Sequence, residues 1–228
     1  MFGFGDFFEC KGKFIYFVLD SGDSTSDEKD VLRSIWVTLG MTGQFQNQSI
    51  ENTNKSRPRW YIELMDTETG QKRKIYYSDP RNFGTLRFSL SSKDLADKID
   101  SLGPDMLDVG RTTEDVFLSA MEISTQRRNV CKFLMDQSKI SGVGNYILAE
   151  GLYRARIDPY ASLAEISTEQ RKRLFKELRD VIVTSYESQG LTRPNGGTYR
   201  SMDGTKGEYE FELQCYGQTL SPLKVRVQ

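Results

Sequence analysis

The stretch Asp136-Gln137-Ser138-Lys139-Ile140-Ser141-Gly142-Val143-Gly144-Asn145-Tyr146-Ile147-Leu148-Ala149-Glu150 decides the fold, because it joins two apolar helical segments through a glycine-rich turn. Gly142 and Gly144 lack a Cβ, so the backbone can approach another group closely there. The helix predicted to begin at Asn145 offers unpaired N–H groups and the positive end of its dipole, which suit a phosphate. A tight helix–helix connection capped by Asn145 explains the same residues. Taken alone, the stretch leaves both interpretations open.

The composition is that of an ordinary globular protein, with 228 residues, 37% of them hydrophobic and 28% charged. This length supports a sizeable core in one large domain or two modest ones. No stretch approaches the roughly 18 apolar residues of a membrane span, and Met1-Phe2-Gly3-Phe4 lacks the basic start of a signal peptide. We therefore expect no membrane partner. The net charge of −1 speaks against a uniformly basic nucleic-acid binder but permits a local basic face.

The residue types restrict the available chemistry. Three distant cysteines (Cys10, Cys131 and Cys215) and no histidine cannot supply the four paired ligands of a Cys/His zinc site. We expect no metal and no small-molecule cofactor. The cysteine usage fits a reducing setting, either nuclear or cytoplasmic. Without histidine, any acid–base chemistry falls to Lys, Asp, Glu, Tyr or Cys.

The periodicity changes after residue 90, which predicts an α+β protein. Short aromatic and β-branched segments before that point predict a β-sandwich or barrel, with strands over 11–20, 34–39, 60–65, 74–78 and 85–88. Helical patterns follow, and the capping box Ser167-Thr168-Glu169-Gln170 begins a helix running to about Gln189. A further strand is predicted over 209–216. The predicted boundaries are a β-domain over 1–90, a linker helix over 91–111, a helical domain over 112–190 and a loop with a β tail over 191–228.

Four motifs occur in a fixed order: Gly12-Lys13-Phe14, Leu39-Gly40-Met41-Thr42-Gly43, Asp79-Pro80-Arg81-Asn82-Phe83-Gly84, and the opening stretch. Together they resemble the formamidopyrimidine-DNA glycosylase/endonuclease VIII family of DNA repair enzymes, from about Gly12 to Gly217. The resemblance implies a partial β-sandwich domain, a helix-two-turn-helix domain and a truncated β-hairpin finger. It also implies excision of oxidised bases from duplex DNA, followed by strand cleavage at the abasic site. The expected partner is therefore duplex DNA with an oxidised base or abasic site.

The family fills the hole left by a flipped-out nucleotide with side chains that match Met41, Arg81 and Phe83. Met and Phe suit an apolar wedge between bases, and Arg can hydrogen-bond the orphaned partner base. Core packing of Met41 and a buried hairpin plug at Phe83 are the alternatives that the sequence leaves open.

The resemblance also implies roles outside the wedge. Amides of the turn at Gly142 and Gly144, with the Asn145 side chain, would hold DNA phosphates. Lys13 matches a family lysine that contacts the phosphate beside the lesion and supports elimination, so it is the predicted catalytic residue. Tyr199 is predicted to contact the lesion-side phosphate or a base edge. Glu150 is expected to orient the turn.

Two parts of the family pattern have no match in the sequence. The family nucleophile is the amine of an N-terminal proline followed by a glutamate, whereas this sequence begins Met1-Phe2-Gly3. The finger is matched only through Leu213-Gln214-Cys215-Tyr216-Gly217. The sequence therefore leaves a glycosylase/lyase, a non-catalytic damaged-DNA-binding protein and a protein unrelated to nucleic acid as alternatives.

Overall fold

A computed structural model describes residues 8–19, 33–47, 58–66, 68–188 and 213–219. The described residues form two compact units, and the boundary between them lies between Asp100 and Ser101. The first unit is predominantly β-sheet and the second is helical. This division confirms the predicted α+β class.

The first unit contains seven strands, most of them rich in aromatic and β-branched residues. Their bounds are β1 Phe8–Lys11, β2 Phe14–Leu19, β3 Arg33–Thr38, β4 Gln44–Gln46, β5 Pro58–Met65, β6 Lys72–Ser78 and β7 Thr85–Ser89. They form a four-stranded sheet in the order β1-β2-β3-β7 and a three-stranded sheet in the order β4-β6-β5. All the paired strands are antiparallel.

Aromatic side chains join the two sheets. The ring centroid of Phe17 on β2 lies 6.2 Å from that of Phe45 on β4, and Phe45 packs 5.6 Å from Tyr77 on β6. Aromatic side chains packed between two facing sheets form the core of a β-sandwich. The predicted strand over 11–20 is confirmed over Phe14–Leu19, whereas its first residues form a hairpin turn, because Gly12 adopts a φ of +58° and reverses the chain between β1 and β2.

The second unit is built from helices α2 to α5, and helix α1 lies at the end of the first unit. The bounds are α1 Ser92–Asp100, α2 Glu114–Glu122, α3 Val130–Met135, α4 Asn145–Ala155 and α5 Thr168–Glu187, with a 3₁₀ turn over Leu163–Glu165. Their large core side chains are fully buried, among them Phe117, Phe133, Leu134, Leu174 and Leu178. A Cβ at Gly151 would clash with the Leu178 side chain, so this glycine lets α4 and α5 approach closely.

Side-chain caps fix the starts of α1 and α5. The capping box at Ser167 and Gln170 is confirmed, and α5 begins one residue after Ser167. Helix α1 is capped by Ser91, whose hydroxyl accepts a hydrogen bond from the Asp94 N–H at 3.1 Å.

The predicted strand over 209–216 is wrong where it can be checked. Residues 213–219 form bends and turns, and residues 209–212 lie outside the described part of the chain. The reason is that the backbone N–H groups of residues 214–216 donate to a carboxylate, not to a neighbouring strand. No helix in the described ranges is long and apolar enough to cross a membrane. Within those ranges, no group of three or more His, Cys, Asp or Glu side chains is arranged to hold a metal ion.

Candidate nucleic-acid interface

Two turns of the β-sandwich unit present the predicted wedge. Met41 is 57% exposed on the turn between β3 and β4, and Phe83 is 55% exposed on the turn between β6 and β7. The Arg81 guanidinium carbon lies 5.0 Å from the centroid of the Phe83 ring, which is cation–π range. These exposures make the alternatives of core packing for Met41 and a buried plug at Phe83 wrong. The structure thus brings two large apolar side chains and a stacked arginine to adjoining turns.

The buried carboxylate of Asp79 ties these two turns together. Its side chain is only 2% exposed and accepts hydrogen bonds from the Thr42 hydroxyl at 2.5 Å and the Gly84 N–H at 2.7 Å. The Arg81 N–H lies 3.3 Å from both the Asp79 carboxylate and the Thr42 hydroxyl oxygen. One side chain therefore fixes a residue next to Met41 and the backbone on both sides of Phe83.

Burial and hydrogen bonding act in opposite directions on the pKa of Asp79. Burial alone would raise it, but the hydrogen bonds from Thr42 and from the amides of Gly84, Arg81 and Phe83 outweigh burial and hold the pKa below its ordinary value. Because the pKa of Asp79 is lower in the folded protein than its value of about 4 in the unfolded chain, the ionised carboxylate stabilises the fold at pH values above about 4. That contribution disappears only as the pH falls through the lowered value, so Asp79 is ionised at neutral pH.

The two turns also touch through glycine backbone. Gly40 has a φ of +61°, and a Cβ there would lie 2.7 Å from the Phe83 carbonyl carbon and 2.8 Å from the Gly84 nitrogen. Backbone atoms at such distances cannot yield without shifting the whole turn. A glycine at position 40 is therefore what lets the Met41 turn sit against the Phe83 turn.

We expect Gly40→Ala to destabilise the β-sandwich unit more than Gly70→Ala does. Both glycines have positive φ, which costs an alanine about 1 kcal/mol, but a Cβ at Gly70 meets nothing within 4 Å. Urea unfolding should therefore show a cost of about 1 kcal/mol for Gly70→Ala and about 2 kcal/mol or more for Gly40→Ala. Equal costs would mean that the close approach of the two turns has no energetic weight.

Lys13 occupies the turn of the β1–β2 hairpin, next to Gly12. The side chain is exposed, yet neighbouring protein partly desolvates the ammonium and lowers its pKa below the usual lysine value. The pKa values of the exposed Lys72 and Lys93 move the other way, because their hydrogen bonds to Glu63 and Asp97 favour the charged form.

In the helical unit, Gln137 organises the glycine-rich turn. Its side-chain oxygen accepts the Gly142 N–H at 3.0 Å, and its side-chain nitrogen donates to the Val143 carbonyl at 3.1 Å. The Gly142 amide predicted to hold a phosphate is therefore already engaged. Gly142 supplies the turn through its φ of +95°.

Helix α4 begins at Asn145, as predicted, but its cap is a different residue. Gly144 is the N-cap residue, without a side-chain cap, and Asn145 is the first residue inside the helix. Asn145 is exposed, and its side chain has no hydrogen-bond partner among the described residues. The alternative interpretation, in which Asn145 caps the helix, is thus wrong. Its amide group is instead available to a ligand at the positive end of the α4 dipole.

Glu150, about one and a half turns further along α4, is fully buried. It accepts the N–H groups of Gln214 at 2.9 Å, Cys215 at 2.9 Å and Tyr216 at 2.8 Å, and its carboxylate lies 3.6 Å from the Arg154 guanidinium. The expected role of orienting the glycine turn is therefore wrong, since Glu150 docks residues 214–216 onto α4. Burial and the Glu150 charge raise the pKa of the Cys215 thiol to about 12.

The sequence indicated the exposed site residues but missed those that hold them in place. Asp79, Thr42 and Gln137 were quoted within motifs without a role. Each of them is a polar residue at or beside a glycine-containing turn, and this position could have indicated the role, since short polar side chains often form hydrogen bonds with the nearby backbone. Tyr199 lies outside the described residues.

Comparison with known proteins identifies the family. The protein-family model described as the formamidopyrimidine-DNA glycosylase H2TH domain matches residues 102–194, which contain α2 to α5. The formamidopyrimidine-DNA glycosylase of Herpetosiphon aurantiacus is 33% identical over 198 residues, covering 86% of this chain and 68% of the relative. This chain belongs to the formamidopyrimidine-DNA glycosylase family.

Solved structures of the family share the fold. The MutM (Fpg) protein of Thermus thermophilus matches with a TM-score of 0.71 and 28% identity, covering 96% of this chain and 74% of that one. The Lactococcus lactis Fpg in complex with abasic-site DNA matches with a TM-score of 0.71 at 18% identity, covering 94% and 72% of the respective chains. The glycosylase fold thus extends across both units, beyond the matched H2TH domain.

Proposed function

We propose that this protein is a DNA glycosylase and AP lyase that excises oxidised bases from duplex DNA and cleaves the strand at the resulting abasic site. The observation that carries the proposal is the exposed set of Met41, Arg81 and Phe83, fixed by a buried carboxylate, in a member of this family. Two large apolar side chains exposed on adjoining turns, beside an arginine, form a surface that stacked bases can cover.

The wedge residues act on the DNA at the lesion. Once the damaged nucleotide leaves the stack, Met41 and Phe83 fill the space between the neighbouring base pairs. Arg81, stacked over the Phe83 ring, presents guanidinium donors to the base that has lost its partner. Filling the gap offsets part of the cost of unstacking, so the extruded state becomes populated.

The start of α4 holds the DNA backbone. The exposed Asn145 amide lies in the first turn of α4, at the positive end of the helix dipole, and this position suits a phosphate. Phosphate contacts fix the position of the duplex and do not depend on its sequence. The start of α4 therefore binds any duplex, whereas Met41, Arg81 and Phe83 respond to damage.

Lys13 contributes to the chemical step. Its lowered pKa and exposed position suit a lysine that contacts the phosphate beside the lesion and assists elimination at the sugar. A DNA substrate and the odd number of widely spaced cysteines support an intracellular setting, nuclear or cytoplasmic.

Borohydride trapping on a duplex containing an oxidised base tests the proposed reaction. We expect a covalent complex and strand cleavage with the wild-type protein, because in the lyase step an amine of the protein condenses with the aldehyde of the abasic sugar, releasing water, and borohydride reduces the resulting imine. Lys13→Ala should reduce cleavage on the order of 100-fold, the usual scale of a lost proton-transfer group. Lys93→Ala, on the exposed face of α1, should leave cleavage unchanged.

Trapping, combined with a measurement of binding to damaged and intact duplex, separates the alternatives. Preferential binding to damaged duplex without any trapped complex would contradict the glycosylase proposal and indicate a damaged-DNA-binding protein. Equal binding to damaged and intact duplex would contradict both.

A further inference from the structure

We propose, on the basis of the function proposed above, that Asp79 is the positioning residue that makes binding selective for damaged DNA. It touches neither the reacting atoms nor the duplex, since it is buried beneath the turns that bear Met41, Arg81 and Phe83. Its action is to hold these three side chains in the one arrangement that enters a gap in the base stack. Damage selectivity thus depends on a residue outside the contact surface.

The hydrogen bonds of Asp79 support this role because they divide between the two turns. One carboxylate oxygen accepts the Thr42 hydroxyl, one residue after Met41. The other accepts the Gly84 N–H, one residue after Phe83. The Asp79 carbonyl, 3.3 Å from the Asn82 N–H, helps to close the same turn around the left-handed φ of +55° at Asn82.

The link that Asp79 makes between the two turns is rigid because it consists of short side chains and direct hydrogen bonds. Asp79 has two side-chain torsions, and its carboxylate sits directly between a hydroxyl and a backbone amide, with no water-filled gap. A second bond to the backbone comes from Arg59, whose guanidinium donates to the Asp79 carbonyl at 3.2 Å. A wedge fixed in advance loses little conformational entropy when it inserts.

Selectivity should depend on Asp79 more strongly than affinity for DNA in general. Intact duplex offers no gap for the wedge, so its binding rests on backbone contacts. A duplex with an abasic site gains the wedge contacts in addition. Loosening the wedge should therefore weaken binding to abasic DNA and spare binding to intact DNA.

Asp79→Asn tests the proposal, because it keeps the side-chain shape but replaces a charged acceptor by an amide that cannot accept at both positions. Fluorescence anisotropy with an abasic-analogue duplex and a matched intact duplex, at fixed salt, gives the ratio of the two dissociation constants. We expect this ratio to fall about 10-fold with unchanged affinity for intact duplex. Asp66→Asn is the matched control, since Asp66 also accepts two backbone N–H groups in a turn of the same unit.

Thr42→Val provides a second variant in case Asp79→Asn fails to fold, because it removes only the hydroxyl link between the turns. It should lower the ratio about 3-fold, as expected for one hydrogen bond. Retained selectivity in the folded variants would overturn the proposal. An equal loss of affinity for both duplexes would also overturn it, since it would show a merely structural role. If wild-type protein shows no selectivity, the proposed function itself fails, and this role for Asp79 fails with it.

Discussion

Glu150→Ala should lower the free energy of unfolding by about 3–5 kcal/mol. The carboxylate is fully buried and accepts three backbone N–H groups from residues 214–216. Removing it leaves those donors without their acceptor and Arg154 without its ion-pair partner. Urea unfolding followed by far-ultraviolet circular dichroism measures the effect.

Glu122→Ala is the matched control for this experiment. Glu122 is exposed at the last position of α2, where a negative charge also faces the unfavourable end of the helix dipole. Its removal should change the free energy of unfolding by no more than about 0.5 kcal/mol. If Glu150→Ala costs as little as Glu122→Ala, residues 214–216 are not anchored by this carboxylate.

The double variant Met41→Ala/Phe83→Ala should weaken binding to abasic-site DNA by about 30-fold or more. Stacking of an aromatic or apolar side chain on a base contributes roughly 1–3 kcal/mol, and each factor of ten in affinity corresponds to about 1.4 kcal/mol. Both side chains are more than half exposed, so their truncation should leave the stability of the protein nearly unchanged. Anisotropy titration at fixed salt measures the loss.

Phe88→Ala serves as the control for the double variant. Phe88 lies on β7, is 66% exposed and belongs to neither of the two wedge turns. Its truncation should leave the affinity for abasic-site DNA within 2-fold of wild type, a bound of about 0.4 kcal/mol. Comparable losses in the two variants would show that exposed apolar surface in general, not the wedge, binds the DNA.

The sequence predicted the elements whose signals are local. The Ser167 capping box and the apolar spacing of α5 lie within a few residues of each other, and both are confirmed. The hairpin turn at Gly12 was missed because the aromatic strand continues on one side of it, so only the positive φ reveals the reversal. The helix start at Asn145 was predicted correctly, but the sequence did not identify Gly144 as its cap, since glycine and asparagine are both acceptable caps.

The site shows the same division between local and long-range information. Met41, Arg81 and Phe83 stand out in their motifs, but the bond from Thr42 to Asp79 joins residues 37 positions apart. Glu150 reaches the Tyr216 amide across 66 positions, so no pattern near residue 150 indicates its partner. Long-range hydrogen bonds of buried carboxylates depend on the assembled fold, and only the structure reveals them.

One measurement tests the central claim most directly, namely the ratio of the dissociation constants of the wild-type protein for intact and abasic-analogue duplexes of the same sequence and salt. Wedge insertion at the lesion predicts that abasic DNA binds at least about 10-fold more tightly, which corresponds to one stacking contact. Equal dissociation constants would contradict the claim that Met41, Arg81 and Phe83 form a wedge for damaged DNA.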